Sequence, residues 1–290
     1  MPEHISVLLS TVLEVLDPKD SKTYFDGTFG GGGYTKAILN ASNCNVIATD
    51  RDEYVQQFAK EVKDQYGDRF DFHHAKFSEI KSVLNKTKQY TVDAVILDLG
   101  VSNFQLENAE RGFSFKRDGD LDMRMGLSDT TALDIIQKYS EKDLANLIYE
   151  FGEEPFSRRI AKNIKLHIKE IHTTTDLAEI IHKSVGYHGK TDTATKTFQA
   201  LRICVNNELG ELQSTLKDAV DVLNPGGKII IVTFHSLEDR IVKMFFKELS
   251  LQDNKSKFKL YSKKPIPPTE KEIRFNPKSR SAKLRCLIKL

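Results

Sequence analysis

The segment 26-DGTFGGGGYTKA-37 contains four consecutive glycines between a short apolar run and a sequence that resembles a helix start. In open α/β sheets, a glycine loop after the first strand lies where nucleotide-like ligands bind, at the carboxyl ends of the strands. A flexible turn that also caps a helix would use the same residues. The loop therefore predicts a ligand site, with a purely structural turn as the alternative.

The spacing of these glycines does not match two well-known phosphate-binding motifs. In the dinucleotide fingerprint GxGxxG, a start at Gly30 places Thr35 at the last glycine position, and a start at Gly31 places Lys36 there. The phosphate-loop pattern GxxxxGK[ST] also fails, because no Lys followed by Ser or Thr comes after the glycines. We therefore expect a ligand without a phosphate in this loop.

Acidic residues end three of the predicted strands. Asp26 ends the first strand, and Asp50 ends the second at a distance from the glycines where a carboxylate can accept the hydroxyls of a ribose. This set suits a nucleoside with a charged amino-acid tail, which indicates S-adenosylmethionine as cofactor. Asp98, in 97-LDLGVSNFQ-105, ends the fourth strand at the expected topological switch point; a strand-terminal Asp that caps the next turn is the alternative.

Strands and helices alternate on both sides of a helical tract. Strands are predicted at 23–28, 45–50, 70–75, 92–100, 228–234, 257–262 and 282–290, and helices at 5–16, 52–67, 194–223 and 237–249. Such alternation implies a doubly wound, mostly parallel α/β sheet of the Rossmann-like type. The tract 106–206 has helical periodicity and is predicted to be an inserted helical subdomain for substrate recognition. Residues 1–105 and 207–290 then form the two parts of the main domain.

The composition is that of a globular protein of 290 residues, with 39% hydrophobic and 29% charged residues. Neither an export signal nor an apolar run long enough for a membrane span is visible, so a cytoplasmic protein is expected. The cysteines, Cys44, Cys204 and Cys286, show no metal-ligand spacing, and no metal site or disulfide is predicted. His73 and His74 point to opposite faces of a predicted strand and are interpreted as structural.

The net charge of +2 conceals a strongly basic C-terminal region. Between Lys255 and Lys289, twelve Lys or Arg residues stand against two acids. This region could face a polyanion, although a solvated surface is the more common explanation of a charge run. Lys278, Arg280 and Lys283 in 274-RFNPKSRSAKLR-285 resemble a strip that binds a nucleic-acid backbone.

A second candidate for RNA contact is the loop 110-ERGFSFKRDGDLDMRM-125. Its cations include Arg111 and Arg117, and these are interleaved with Phe113 and Phe115, as in proteins that grip single-stranded RNA. The competing interpretation is a rigid loop locked by pairs between Arg and Asp.

Several long segments together resemble the MraW/RsmH family of bacterial methyltransferases. They are HISVLL (4–9), DGTFGGGGYT (26–35), ATDRD (48–52), LDLGVS (97–102), ERGFSFKRDGDLDMRM (110–125), TFQALRICVNNELGEL (197–212), PGGKIIIVTFHSLEDRIVK (225–243) and RFNPKSRSAKLR (274–285). The resemblance runs almost from end to end. It implies S-adenosylmethionine-dependent methylation of the N4 amino group of a cytidine in the decoding region of small-subunit ribosomal RNA.

The resemblance also implies a set of cofactor contacts. They fall on Gly32, Gly33, Tyr34, Asp50, Phe77, Asp98 and Gln105, with Asp50 on the ribose and Phe77 beside the adenine. Tyr34 departs from the family, which usually has His there. Asn103-Phe104 and Asp192-Thr193 also depart, standing where Ser-Pro and His-Pro are typical.

The catalytic group is not identified by these patterns, and the candidates are Asp98 and His235. His235 follows the predicted fifth strand and could contact the target base, or it could be a structural histidine that holds Glu238 or Asp239. The expected reaction is direct attack of the cytosine N4 on the sulfonium methyl group. The rivals are a methyltransferase for a small molecule or a protein, a noncatalytic ribosome-assembly factor and a nicotinamide oxidoreductase. The oligomeric state is left open, a dimer included.

Overall fold

A computed structural model describes residues 6–186, 192–251 and 257–290. The chain forms two compact units. The first comprises the described residues of Met1–Gly100 and Leu209–Leu290, and the second comprises those of Val101–Glu208. The predicted insertion, 106–206, lies within the second range, and its role in substrate recognition stays a prediction.

The first unit contains a seven-stranded sheet in the order β3-β2-β1-β4-β5-β7-β6. Its strands are β1 (Thr23–Asp26), β2 (Asn45–Asp50), β3 (Phe70–His74), β4 (Val92–Asp98), β5 (Leu223–Thr233), β6 (Phe258–Leu260) and β7 (Lys283–Lys289). The first five strands are parallel, and β7 joins β5 and β6 in antiparallel pairing. The chain reverses its direction across the sheet between β1 and β4, which is the topological switch point. The predicted Rossmann-like α/β fold is confirmed.

Helices cover both faces of this sheet. They are α1 (Leu9–Leu16), α2 (Gly33–Ala41), α3 (Gln56–Tyr66), α4 (Ile80–Lys86), α11 (Glu208–Val222) and α12 (Ser236–Ser250), followed by the short α13 (Glu270–Phe275). Neighbouring residues of a strand enter different cores: Ile96 lies in the cluster with residues of α1 to α3, and Val95 lies in the cluster with residues of α4, α11 and α12. The strands read as continuous apolar runs because both faces are buried.

Three local features differ from the sequence predictions. The first helix begins at Leu9, since Leu8 has a left-handed backbone with φ of 54°. The helix predicted over 194–223 is two helices, because Asn207, with φ of 49°, breaks it, and Asn tolerates that conformation. The segment 224-NPGG-227, whose composition is typical of a turn, lies inside β5, where the pairing with β4 shifts register.

The second unit is helical and has its own apolar core. Its helices are α5 (Asn103–Glu107), α6 (Ala132–Lys138), α7 (Glu141–Gly152), α8 (Ser157–Leu166), α9 (Thr174–Val185) and α10 (Thr195–Asn206). Two of these helices begin at side-chain N-caps: Ser140 Oγ accepts from Asp143 N at 3.1 Å, and Thr173 Oγ1 accepts from Asp176 N at 3.4 Å. None of the helices in the described part of the chain is both long and apolar enough to cross a membrane.

Candidate functional site

Three carboxylates stand at the carboxyl edge of the sheet. Asp26, Asp50 and Asp98 are the last residues of β1, β2 and β4, and β1 lies between the other two strands. Because these strands are parallel, their carboxyl ends meet at one edge. The acids predicted for the site therefore come from adjacent strands at the switch point.

Asp26 is completely buried and connects β1 to the start of α2. Its Oδ2 accepts a hydrogen bond from Thr35 Oγ1 at 2.7 Å, and its Oδ1 accepts from Thr28 N at 3.2 Å. Burial raises the pKa of Asp26 to about 6, although both hydrogen bonds favour the ionised form. Asp26 therefore has a structural role that sequence analysis did not assign to it.

Asp50 holds the glycine loop directly. Its Oδ2 accepts from Gly30 N at 2.8 Å and its Oδ1 accepts from Asp52 N at 2.9 Å. Burial raises the pKa of Asp50 to about 6, and these two backbone donors oppose the rise. A carboxylate has about four lone-pair sites. Both oxygens of Asp50 therefore keep acceptor capacity for the hydroxyls of a ligand.

Asp98 presents a buried acceptor that accepts no hydrogen bond from any residue that the structure describes. This atom is Oδ1, whereas the backbone N of Asp98 donates to Thr28 Oγ1 at 2.7 Å. Burial and the nearby charges of Asp26 and Glu238 hold the pKa of Asp98 well above its usual range, and a hydrogen bond with Tyr34 acts in the opposite direction. Clustered acids of this kind favour a cationic ligand over a phosphate, in agreement with the spacing of the glycines.

The glycines of the loop are packed against other parts of the protein. A Cβ on Gly33 would lie 1.9 Å from Ser6 Oγ, and a Cβ on Gly32 would lie 2.9 Å from the Phe29 ring. Gly32 also has a φ of +76°, which side-chain-bearing residues rarely adopt. The structural interpretation of these glycines therefore holds. Contact with a ligand would come through the backbone at the start of α2.

Tyr34 is buried in the first turn of α2, and its hydroxyl donates a hydrogen bond to the Val7 carbonyl. Burial raises the pKa of Tyr34, and the neighbouring charge of Asp98 adds to the rise. The segment that Tyr34 holds is anchored at a second point, because Leu8 N donates to Glu272 Oε1 at 2.6 Å. Tyr34 thus links the N-terminal segment to Asp98 through its side chain, a role that its position in the glycine loop did not predict.

Phe77 lies beside the turn that follows β1. A Cβ on Gly27 would stand 2.9 Å from the Phe77 Cβ, and Ala75 N donates to the Asp50 carbonyl at 3.0 Å. Phe77 itself is half-buried. The loop after β3 therefore brings an aromatic side chain to the edge that carries Asp50.

Gln105 belongs to the second unit, where it is buried in α5. Its Oε1 accepts from Ser102 N at 2.9 Å, and its own N donates to Ser102 Oγ at 3.3 Å. These two bonds form a capping box at the start of α5. Within its unit, Gln105 therefore stabilises a helix start, and its assignment to the cofactor stays a prediction.

His235 caps the start of α12. Its Nδ1 accepts from Glu238 N at 3.5 Å, and its Nε2 lies 3.1 Å from Glu238 Oε1. Glu238 Oε2 in turn accepts from Phe234 N at 2.8 Å. The capping contact agrees with the structural alternative, but the buried Nε2 forms no hydrogen bond with any residue that the structure describes. A catalytic role of His235 stays a prediction.

The C-terminal basic strip divides into two parts. Lys278 and Arg280 are exposed on the 3₁₀ helix Pro277–Ser281. Lys283 Nζ instead lies 3.4 Å from Asp239 Oδ2, and Arg285 Nε donates to Asp239 Oδ1 at 2.7 Å. The strip has no acid of its own, but α12 supplies Asp239. Lys278 and Arg280 are therefore more exposed than Lys283.

The loop 110–125, within the second unit, has the features of the rigid alternative. Arg124 pairs with Asp122 through two hydrogen bonds of 2.8 Å, and Arg111 donates to the Arg124 carbonyl at 2.9 Å. Arg117 is exposed and donates to the Glu107 carbonyl at 2.6 Å. Arg111 and Arg117 stay predictions for RNA contact.

The two aromatic residues of this loop differ in their exposure. Phe113 is buried, and Phe115 packs edge-on against Phe198 with the ring centroids 4.9 Å apart. Both contact the helical core. Burial makes Phe113 unavailable for stacking on a base, and stacking by the half-buried Phe115 stays a prediction.

A doubly wound sheet with a glycine loop and acids at its switch point places the chain among the Rossmann-like α/β proteins that bind ligands at that edge. A solved structure from Clostridium thermocellum, assigned as an rRNA-methylase, shares this fold with a TM-score of 0.50 and 13% identity, covering 99% of both chains. The chain belongs to the MraW methylase family, whose match spans residues 1–290.

Two relatives resemble the whole chain. A ribosomal RNA small subunit methyltransferase H from Ehrlichia canis is 50% identical over 297 residues, which covers 99% of this chain and 100% of the relative. The protein of the same name from Rickettsia conorii is 46% identical over 300 residues, covering 97% of this chain and 96% of the relative.

Proposed function

We propose that this protein uses S-adenosylmethionine to methylate small-subunit ribosomal RNA, at the N4 amino group of a cytidine in the decoding region. Membership of the MraW methylase family and the names of the relatives support methylation of this RNA. The structural observation that carries the cofactor assignment is Asp98, whose buried Oδ1 is an unfilled acceptor at the switch point. A cationic sulfonium ligand suits this position better than a phosphate does.

The residues at the carboxyl edge fit this cofactor. Asp50 would accept the ribose hydroxyls, Phe77 would lie beside the adenine, and Asp98 would bind from the end of β4. The backbone of Gly32 and Gly33, the side chain of Tyr34, and Gln105 complete the proposed contacts. When bound, S-adenosylmethionine supplies an activated methyl group.

The amino group of cytosine is a weak nucleophile, because its lone pair is delocalised into the ring. The protein must therefore orient the base and provide an acceptor for the departing proton. Asp98 would already contact the cofactor, so its carboxylate is not assigned as this acceptor. In this proposal Asp98 binds and orients the cofactor. The proton acceptor is a separate group.

RNA binding is assigned to basic residues of both units. Lys278 and Arg280 would contact phosphates, Lys283 would contribute more weakly because of Asp239, and Arg111 and Arg117 are candidates in the helical unit. The target cytidine must be unpaired or extruded to reach the site. Since this substrate is assembled in the cytoplasm, we place the protein there.

The test is methylation of isolated small ribosomal subunits by the purified protein with methyl-labelled S-adenosylmethionine. We expect one labelled cytidine, and no label when Asp98→Ala replaces the wild type. A panel of small molecules and free proteins should remain unlabelled. Label on that panel and none on the subunits would support the rival methyltransferase. Absence of any S-adenosylmethionine binding would support a noncatalytic assembly factor.

A further inference from the structure

Glu211 is a buried carboxylate to which the proposed function assigns no role. It lies near the start of α11, with 8% of its surface exposed, and its Oε1 lies 3.1 Å from Lys76 Nζ. Its Oε2 accepts a hydrogen bond from the Ser78 hydroxyl. Burying a carboxylate is costly unless it is paired and hydrogen-bonded. Both oxygens of Glu211 meet this condition.

The two partners of Glu211 are the residues on either side of Phe77. They lie more than a hundred residues away along the chain, so that α11 holds the loop after β3 at two points around one aromatic residue. The same loop is fixed at its start, where Ala75 N donates to the Asp50 carbonyl at 3.0 Å. Lys76 N also donates to Glu79 Oε2 at 2.8 Å. The backbone around Phe77 is thus restrained from several directions.

We propose that Glu211 is a positioning residue for the cofactor, acting through Lys76 and Ser78 to fix Phe77 against the adenine. This inference rests on the proposed function, because it needs Phe77 to contact the cofactor. A stacking ring contributes most when its orientation is set before the ligand arrives, since the ligand then does not bear the cost of ordering it. Glu211, which is fixed on the long helix α11, can set the orientation of the Phe77 ring in this way.

An ion pair that only stabilises the fold is the competing explanation, and the two make different predictions. A structural pair affects the free energy of unfolding and leaves cofactor affinity unchanged in the folded protein. Loss of a positioning pair raises the dissociation constant of S-adenosylmethionine, while turnover at saturating cofactor stays close to that of the wild type. Its effect must also depend on the presence of Phe77.

The experiment compares Glu211→Gln, Phe77→Ala and the double variant by calorimetric binding of S-adenosylmethionine. Glu211→Gln keeps the size of the side chain and removes its charge. We expect its dissociation constant to rise about tenfold, as for the loss of one charge-assisted hydrogen bond. The double variant should bind no more weakly than Phe77→Ala alone.

A matched control is available on the same helix. Lys81 Nζ lies 2.8 Å from Asp218 Oδ1 and 2.7 Å from Asp221 Oδ2, and these pairs likewise join α11 to the segment after β3, but Lys81 does not adjoin Phe77 in the chain. Asp218→Asn should bind S-adenosylmethionine as the wild type does. Lys76→Met removes the Glu211 pair from its other end and should repeat the effect of Glu211→Gln, so the test does not depend on one variant being folded.

Two results would overturn the positioning role while leaving the proposed function intact. One is wild-type affinity in both Glu211→Gln and Lys76→Met. The other is a double variant whose losses simply add. If the folded wild type itself fails to bind S-adenosylmethionine, the proposed function fails first, and the positioning role fails with it.

Discussion

Ser6 lies against Gly33 so closely that residue 33 has no space for a side chain. A Cβ on Gly33 would stand 1.9 Å from Ser6 Oγ and 3.2 Å from Ser6 Cβ. Hydrogen bonds on Val7 and Leu8 hold the adjoining backbone in place. The N-terminal segment therefore covers the glycine loop, and the packing of these two residues requires glycine whether or not a ligand is bound.

Gly33→Ala should destabilise the protein because the new methyl group overlaps the Ser6 hydroxyl. We expect a loss of about 1–3 kcal/mol in the free energy of unfolding, measured by urea denaturation. Ser6→Gly in the same background removes the opposing atoms and should recover most of that loss, and Ser6→Gly alone is the control. Wild-type stability in Gly33→Ala would contradict this account of the loop.

Asp98→Asn should separate binding from stability. It keeps the shape of the side chain but removes a buried charge that Asp26 and Glu238 repel, so the thermal unfolding midpoint should stay level or rise. Affinity for S-adenosylmethionine should fall about tenfold or more, since a charged acceptor is lost. Calorimetry and thermal unfolding on one preparation measure both. Unchanged affinity would remove Asp98 from the proposed site.

The Asp26 carboxyl should make stability depend on pH. Its pKa is raised from 3.8 to about 6 in the folded protein, so the folded state binds the proton more tightly than the unfolded state does. The stabilising contribution is therefore fully present below about pH 4 and is lost as the pH rises to about 6. The total is about 3 kcal/mol.

Asp26→Asn removes this titration and serves as the reference. The difference in free energy of unfolding, wild type minus Asp26→Asn, should decrease between pH 4 and pH 6. Subtraction cancels the contributions of carboxylates that do not interact with Asp26. A difference that increases over this range would contradict the raised pKa.

The two parts of the basic strip should behave differently towards RNA. Replacing Lys278 and Arg280 with Ala should weaken binding to a single-stranded ribosomal RNA fragment. It should also reduce the slope of log affinity against log salt by about 0.7 for each phosphate that the protein no longer neutralises. Lys283→Ala should change the slope less, because Asp239 already pairs with Lys283. A larger decrease of the slope in Lys283→Ala than in the variant that lacks Lys278 and Arg280 would contradict the assignment of phosphate contacts to Lys278 and Arg280.

Much of the sheet could be predicted from local pattern. β4 is a run of apolar residues buried on both faces, and Asp98 ends it where a ligand edge is expected. The glycine loop and the acids of β1 and β2 carried similar local signals. Their relative placement follows from the right-handed connections of parallel strands, so fold and acid cluster were accessible from sequence.

Interactions between segments that are distant in the chain have no local sequence pattern that predicts them. The approach of Ser6 to Gly33, the pairing of Asp239 with Arg285, and the two bonds of Glu211 each join residues far apart in the chain. Asn207 was missed for a different reason: amphipathic periodicity continues across it, and its left-handed backbone alone divides the helix. These features depend on tertiary packing, which overrides local propensity.

We propose that this protein methylates one cytidine of small-subunit ribosomal RNA. Mass mapping of that RNA from cells with and without the protein tests it directly. We expect a single methyl group on the N4 of a decoding-region cytidine to be missing when the protein is absent, and we expect Asp98→Ala not to restore it. An identical methylation pattern in both RNAs would contradict the claim.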